Sequence, residues 1–113
     1  MKHIKLYEQR EPEHRVSRRS DGSVEWEAWW LNDNLHREDG PAYTQYWQDG
    51  SVELESWWLN GKRHREDGPA WIQYRQDGSV EEEQWWLEDE KVADVTSQED
   101  FEAWKYLKSV GLV

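Results

Sequence analysis

The chain has 113 residues, with 10 tryptophans, no cysteine, 14 basic and 25 acidic side chains, and a net charge of −11. One domain (1–113) with a single modest core is the expectation at this length, and the lack of cysteine excludes disulfides and thiolate metal sites. The charge disfavours direct nucleic-acid binding, which needs phosphates neutralised by Lys and Arg. It favours a protein partner with a basic surface.

The opening MKHIKLYEQREPEHR carries charges throughout and has no apolar segment, so a soluble, cytoplasmic protein is expected. No stretch approaches the roughly 18 apolar residues of a membrane span, and no membrane partner is expected. Residues 1–20 hold six basic side chains (Lys2, Lys5, Arg10, Arg15, Arg18, Arg19) against three glutamates, while the remaining residues carry −14. Within that segment HRVSRRSDG, 14–22, reads as the end of a structural unit, which predicts one or more N-terminal capping strands over 1–20.

A unit of 28 residues then recurs: Gly22, Gly50 and Gly78 keep this step, as do Trp29, Trp57 and Trp85, and Trp30, Trp58 and Trp86. The heptad HREDGPA occurs twice, opening at His36 and His64. Fixed self-similarity marks a repeat architecture, with units at 21–48, 49–76 and, in part, 77–95. Asp-Gly and Asn-Gly pairs are hairpin turns, whose glycines supply positive φ. Stretches such as SVELESWWL and AWIQYR have strand length and composition. Gly68 and Pro69 predict a bend or bulge at REDGP. The fold class is mainly β: a twisted antiparallel meander of about 28-residue β-hairpin repeats, with a C-terminal α-helix packed on the sheet.

Strict alternation sorts the long strands into two sets. Val24, Trp26, Ala28 and Trp30, with their equivalents in the later units, read as the core side. Glu25, Glu27 and Trp29, then Glu53, Glu55 and Trp57, then Glu81, Glu83 and Trp85 read as the opposite face, shared with Leu31, Leu59 and Leu87. Adjacent tryptophans send their rings to opposite faces, so each face receives an indole ladder. The tail predicts a helix over 96–111. Ser97 and Asp100 form its capping-box-like start, Phe101, Trp104, Leu107 or Lys108, and Val110 give it a stripe, and Gly111 stops it.

WWLNGKRHREDGPA, the DGS before it and the final WWLEDEKVADVTSQEDFEAWKYL resemble the MORN-like repeat proteins of bacteria, phages and large viruses, built from LNGKxHREDGPA units. The resemblance covers about 20–108. The third unit departs from it, with Glu88-Asp89 in place of Asn-Gly and no third HREDGPA. It implies a β-hairpin stack used for binding rather than catalysis, with some relatives that look like antitoxins or phage-borne small proteins. A phage-encoded chain would act in the host cytoplasm.

His36, Glu38 and Asp39, with His64, Glu66 and Asp67, are the candidate metal ligands. Equivalent positions two strands apart lie about 9–10 Å from each other, too far for two imidazoles to share a zinc ion. No metal or other cofactor is therefore expected. Arg37 and Arg65 are expected to pair with nearby carboxylates, and the histidines to bond backbone at the bend. No phosphate loop, nucleophile elbow or HExxH motif occurs, so no enzyme is expected. The candidate partner-binding residues are Glu25, Glu27, Trp29, Glu53, Glu55, Trp57, Glu81, Glu83 and Trp85: rings as anchors, carboxylates for steering. The function expected is that of a non-enzymatic inhibitor, antitoxin-like or anti-CRISPR-like, blocking a host defence nuclease complex or a toxin. The alternatives are an aromatic carbohydrate- or choline-binding module and a self-assembling protein, a homodimer among its forms, because an open meander leaves edge strands.

Overall fold

The computed structural model describes residues 11–113. The first ten residues, with Lys2, Lys5 and Arg10 of the basic opening, lie outside the described residues. The strands are β1 (Glu13–Arg18), β2 (Val24–Leu31), β3 (Asn34–Leu35), β4 (Tyr43–Tyr46), β5 (Val52–Ser56), β6 (Trp58–Leu59), β7 (Lys62–Arg63), β8 (Trp71–Tyr74), β9 (Val80–Gln84), β10 (Trp86–Leu87) and β11 (Glu90–Lys91). One helix, α1 (Gln98–Ser109), follows among the described residues. The long strands form an antiparallel meander in the order β1-β2-β4-β5-β8-β9, as the alternation of strand and turn residues predicts. β3 folds back on the end of β2, and β6-β7 and β10-β11 are separate short ribbons. The result is a plate only 16 Å through its thinnest dimension.

The Asp-Gly corners hold the expected conformation, with Gly22, Gly50 and Gly78 at φ of 90°, 91° and 88°. Asp21, Asp49 and Asp77 each accept bonds from the backbone N–H and hydroxyl of the serine two residues on. The second turn is conserved in shape where its letters differ. Asn32-Asp33, Asn60-Gly61 and Glu88-Asp89 all have positive φ at both positions, the signature of a tight hairpin turn. Glu88-Asp89 therefore replaces Asn-Gly without changing the geometry.

Strict alternation fails at one place per unit. Ser17 faces Trp26 but Arg18 faces Val24, which leaves Glu25 as an extra, unpaired residue. The same slip leaves Glu53 between Gln45–Leu54 and Tyr46–Val52, and Glu81 between Gln73–Glu82 and Tyr74–Val80. Each is a β-bulge. Directly opposed residues share a face, so Val24, Val52 and Val80 sit with the row Val16, Glu27, Thr44, Glu55, Ile72 and Glu83. Glu25, Glu53 and Glu81 move to the side of Trp26, Leu54 and Glu82. The expectation that Glu25 shares a face with Glu27 is thereby corrected, in all three units.

Burial is carried by small side chains in the sheet, with Ala28, Ala42 and Ala70 at 1% exposure or less. The one apolar cluster among the described residues lies at the C-terminal end. There Trp85, Val92 and Phe101 are buried, with Leu87, Val95 and Trp104 packed around them. Trp85 belongs to this core, while Trp30, Trp58 and Trp86, expected as the core indoles, are half-buried. Helix α1 is shorter than 96–111. Ser97 caps it as predicted, accepting from the Asp100 N–H, but the Asp100 carboxylate accepts from Thr96 Oγ1 rather than closing the box.

Candidate functional site

HREDGPA is a clamp on the first tryptophan of each pair. Trp29 and Trp57 donate their backbone N–H to Ala42 and Ala70, and their carbonyls accept from His36 and His64, so the heptad starts and ends against one residue. Between these anchors the Arg37 guanidinium lies 4.5 Å from the Trp29 ring centroid, and that of Arg65 lies 3.9 Å from Trp57. Each arginine also donates to an aspartate and to a proline carbonyl: Arg37 to Asp39 and Pro41, Arg65 to Asp67 and Pro69. The arginine–carboxylate pairing expected from sequence is therefore present, with a ring beneath it. Gly40 and Gly68 sit against the guanidinium on these loops, where a Cβ would come within 3.0 Å and 2.7 Å of Cζ. Close approach is what demands glycine here, since neither has positive φ.

The histidines bond backbone, though of the next unit rather than of their own bend. His36 Nδ1 accepts from Asn60 N–H and His64 Nδ1 from Glu88 N–H. Leu35 and Arg63 carbonyls add bonds from Gly61 and Asp89. These bonds pin one hairpin ribbon to the next and commit the imidazoles to structure. Among the described residues no group of three or more His, Cys, Asp and Glu is placed to hold a metal ion.

In the third unit, where no heptad follows, Val92 N–H bonds the Trp85 carbonyl in the manner of His64 on Trp57. Phe101 of α1 then covers the ring, at a centroid distance of 6.4 Å. Lys105, one turn on, donates to the Glu66 carbonyl and ties the helix to the preceding loop. The arginine clamp is replaced by a hydrophobic one.

The nine expected partner-binding residues thus divide. Trp29 is stacked by His14 at 4.2 Å and by Arg37, Trp57 is covered by Arg65, and Trp85 is buried at 3% exposure. Glu27 accepts from the Tyr46 hydroxyl at 2.5 Å and pairs with His14, and Glu55 accepts from Tyr74 at 2.6 Å. The Tyr46 hydroxyl holds the Glu27 carboxyl below its usual range, while burial and this acceptor push Tyr46 up to about 12. Glu83, in the same row, is exposed and opposes Ile72. On this face Glu27 and Glu55 are thus engaged within the sheet and the three rings are covered, while Glu83 faces solvent.

Glu25, Glu53 and Glu81 stand on the other side, and with them lie residues that alternation assigned to the core. Trp26 stacks on Tyr43 at 6.1 Å, and Leu54 and Trp71 continue the row, all half-buried. Tyr43 is raised first by burial and then by the charges of Glu25 and Glu53, so the two bulge carboxylates flank that ring. Gln45 links Tyr43 to Glu53, accepting from the tyrosine hydroxyl and donating at 3.0 Å to the carboxylate. Glu25 and Glu81 are exposed. Successive bulges recur every two strands, about 9–10 Å. Toward the hairpin ribbons the same face carries Trp58 and Trp86, with the Arg63 guanidinium between them at 4.7 and 4.9 Å. No described helix is long and apolar enough to cross a membrane. Comparison of the chain with protein-family models, with curated proteins and with solved structures finds no match.

Proposed function

We propose that the chain is a non-enzymatic binding module that docks on a basic protein surface, and that it works as a small inhibitor of a nucleic-acid-handling partner or a toxin. The observation that carries this reading is the bulge comb: Glu25, Glu53 and Glu81 on the face of Trp26, Tyr43, Leu54 and Trp71. Half-buried rings give anchoring area at low conformational cost, and flanking carboxylates steer and pair Arg and Lys. The carboxylates would take the place of phosphates in a cationic channel. The net charge of −11 favours such an encounter, and the likeness to MORN-like binding repeats points the same way. Choline recognition through aromatic cages is less well supported, because Arg37, Arg65 and Arg63 already occupy the cation positions on four of the indoles.

The test is affinity capture from nuclease-treated host lysate, with wild type and the Glu25→Lys/Glu53→Lys/Glu81→Lys variant as baits. A basic protein held at low salt, released at high salt and lost with the variant is the expected result. Capture unaffected by both salt and the variant would reject the acidic comb as the binding surface.

A further inference from the structure

The two outer strands of the sheet differ sharply in charge. β9 reads VEEEQ, with Glu81, Glu82 and Glu83 all exposed. β1 reads EHRVSR and is followed by Arg19, so Arg15, Arg18 and Arg19 outweigh Glu13. Each is bonded to one neighbour within the sheet, β9 to β8 and β1 to β2, and among the described residues their outer edges are unpaired. Exposed Val80 (43%) and Val16 (44%) lie on these edges. An open edge of backbone donors and acceptors is a template for another strand.

β1 is also built as a return strand. It stands 28 residues before β4 and 56 before β8, measured from the Asp-Gly corner that ends each. β9 is in turn the third-unit equivalent of β5, which pairs β8 through Leu54–Gln73, Glu55–Ile72 and Ser56–Trp71. Among the described residues β9 has no such partner, because the sequence enters α1 where a third return strand would come.

We propose that β1 of a second copy of this chain fills that place, so that copies join head to tail into one continued antiparallel sheet. The β5–β8 register carried over sets Glu82 opposite Ser17, Glu83 opposite Val16 and Gln84 opposite Arg15. Glu82 then lies diagonal to Arg15 on one face, and Glu83 diagonal to Arg18 on the other, within reach of long side chains. The His14 carbonyl takes the part that Ala42 and Ala70 play for Trp29 and Trp57, accepting from Trp85 N–H. Two β9 edges facing each other would set glutamate against glutamate, so a closed two-fold dimer through β9 is disfavoured and the joint is of the open, heterologous kind. The joint runs along the backbone edges and requires none of Glu25, Glu53 and Glu81, so its failure would leave docking through the bulge face standing.

The experiment is sedimentation velocity on the full chain over a range of concentrations. Salt is set near 0.15 M, where a screening length of about 8 Å mutes repulsion between whole plates and leaves edge pairs in force. Wild type is expected to grow beyond 13.8 kDa with rising concentration, without stopping at twice that mass. Glu82→Arg/Glu83→Arg and Arg15→Glu/Arg18→Glu, each alone, are expected to remain monomeric, and their mixture to associate again. Circular dichroism of each variant checks that the fold is retained. A wild type that stays monomeric at hundreds of micromolar overturns the proposal. So does association that either variant leaves undiminished, or a failure of two folded variants to rescue each other.

Discussion

Gly68→Ala isolates the arginine clamp. The added methyl would lie 2.7 Å from Arg65 Cζ and 3.0 Å from its Nε and Nη1, well inside the 3.5–4.0 Å optimum between carbon atoms. The guanidinium cannot retreat, because the Trp57 ring stands 3.9 Å away on its other side. It must leave the site. The loss is a cation–π contact of about 1 kcal/mol and a charge-assisted bond to the Pro69 carbonyl of about 1.5 kcal/mol. The Asp67 pair is exposed and contributes little. Against this, replacing glycine restricts the unfolded chain and returns about 0.5 kcal/mol. The net cost is about 2 kcal/mol, which for a chain of this size lowers Tm by about 8 °C. Scanning calorimetry on a double-mutant cycle with Arg65→Ala provides the assay. With the guanidinium already absent, Gly68→Ala should cost nothing or stabilise slightly. An equal loss in both backgrounds would refute the clamp and point to backbone strain. Gly50→Ala is the contrast: at φ +91° with no atom within 4 Å, it should cost about 1 kcal/mol whether or not Arg65 is present.

Phe101→Ala empties the only fully buried large side chain among the described residues and should cost about 3–5 kcal/mol, releasing α1 with a matching loss of helical circular dichroism. His64→Ala leaves the exposed Glu88 N–H without its protein acceptor; a cost of about 1 kcal/mol is expected in denaturant titration. Acid should unfold the protein through its corners. The Ser23 hydroxyl, the Gln48 amide and the Ser23 N–H hold Asp21 at about 2, and Asp49 and Asp77 are lowered by their serines. Folded-state values below the unfolded ones give stability that is full above pH 4 and lost as pH falls toward 2, which an acid titration of tryptophan fluorescence follows. At the alkaline end Tyr46, at about 12, has a raised value. Its contribution is present below pH 10 and lost as pH rises through 12, so its phenolate should appear later than an exposed tyrosine's in an ultraviolet titration.

The meander, the corners and the closing helix were legible because each rests on local chemistry: Asp-Gly and Asn-Gly for turns, a 28-residue step for rows, Ser97 for the helix start. The faces were harder to read. A bulge moves one residue across the sheet, and nothing in the letters of SVEW or SVEL separates a bulged glutamate from a paired one. The slip appears only in the pairing with Arg18, Tyr46 and Tyr74. The bend expected at REDGP is present, over Glu66–Gly68, but a second demand on Gly68 was not legible: room for a guanidinium supplied three residues earlier. The burial of Trp85 depends on Phe101, a contact sixteen positions away that alternation within a strand cannot report. The absence of a third heptad was the available clue, since it leaves that indole without an arginine to cover it.

On the proposed function, the bulge face and not the face of Glu27 engages basic partners. An arginine-rich peptide serves as a defined probe, titrated by calorimetry against two charge-matched variants, Glu25→Gln/Glu53→Gln/Glu81→Gln and Glu27→Gln/Glu55→Gln/Glu83→Gln. Both lose three charges, so any difference between them reports location alone. Three surface pairs at about 0.5 kcal/mol each predict a roughly tenfold weaker affinity for the first variant and little change for the second. Equal weakening, or a greater loss in the second, would contradict the account.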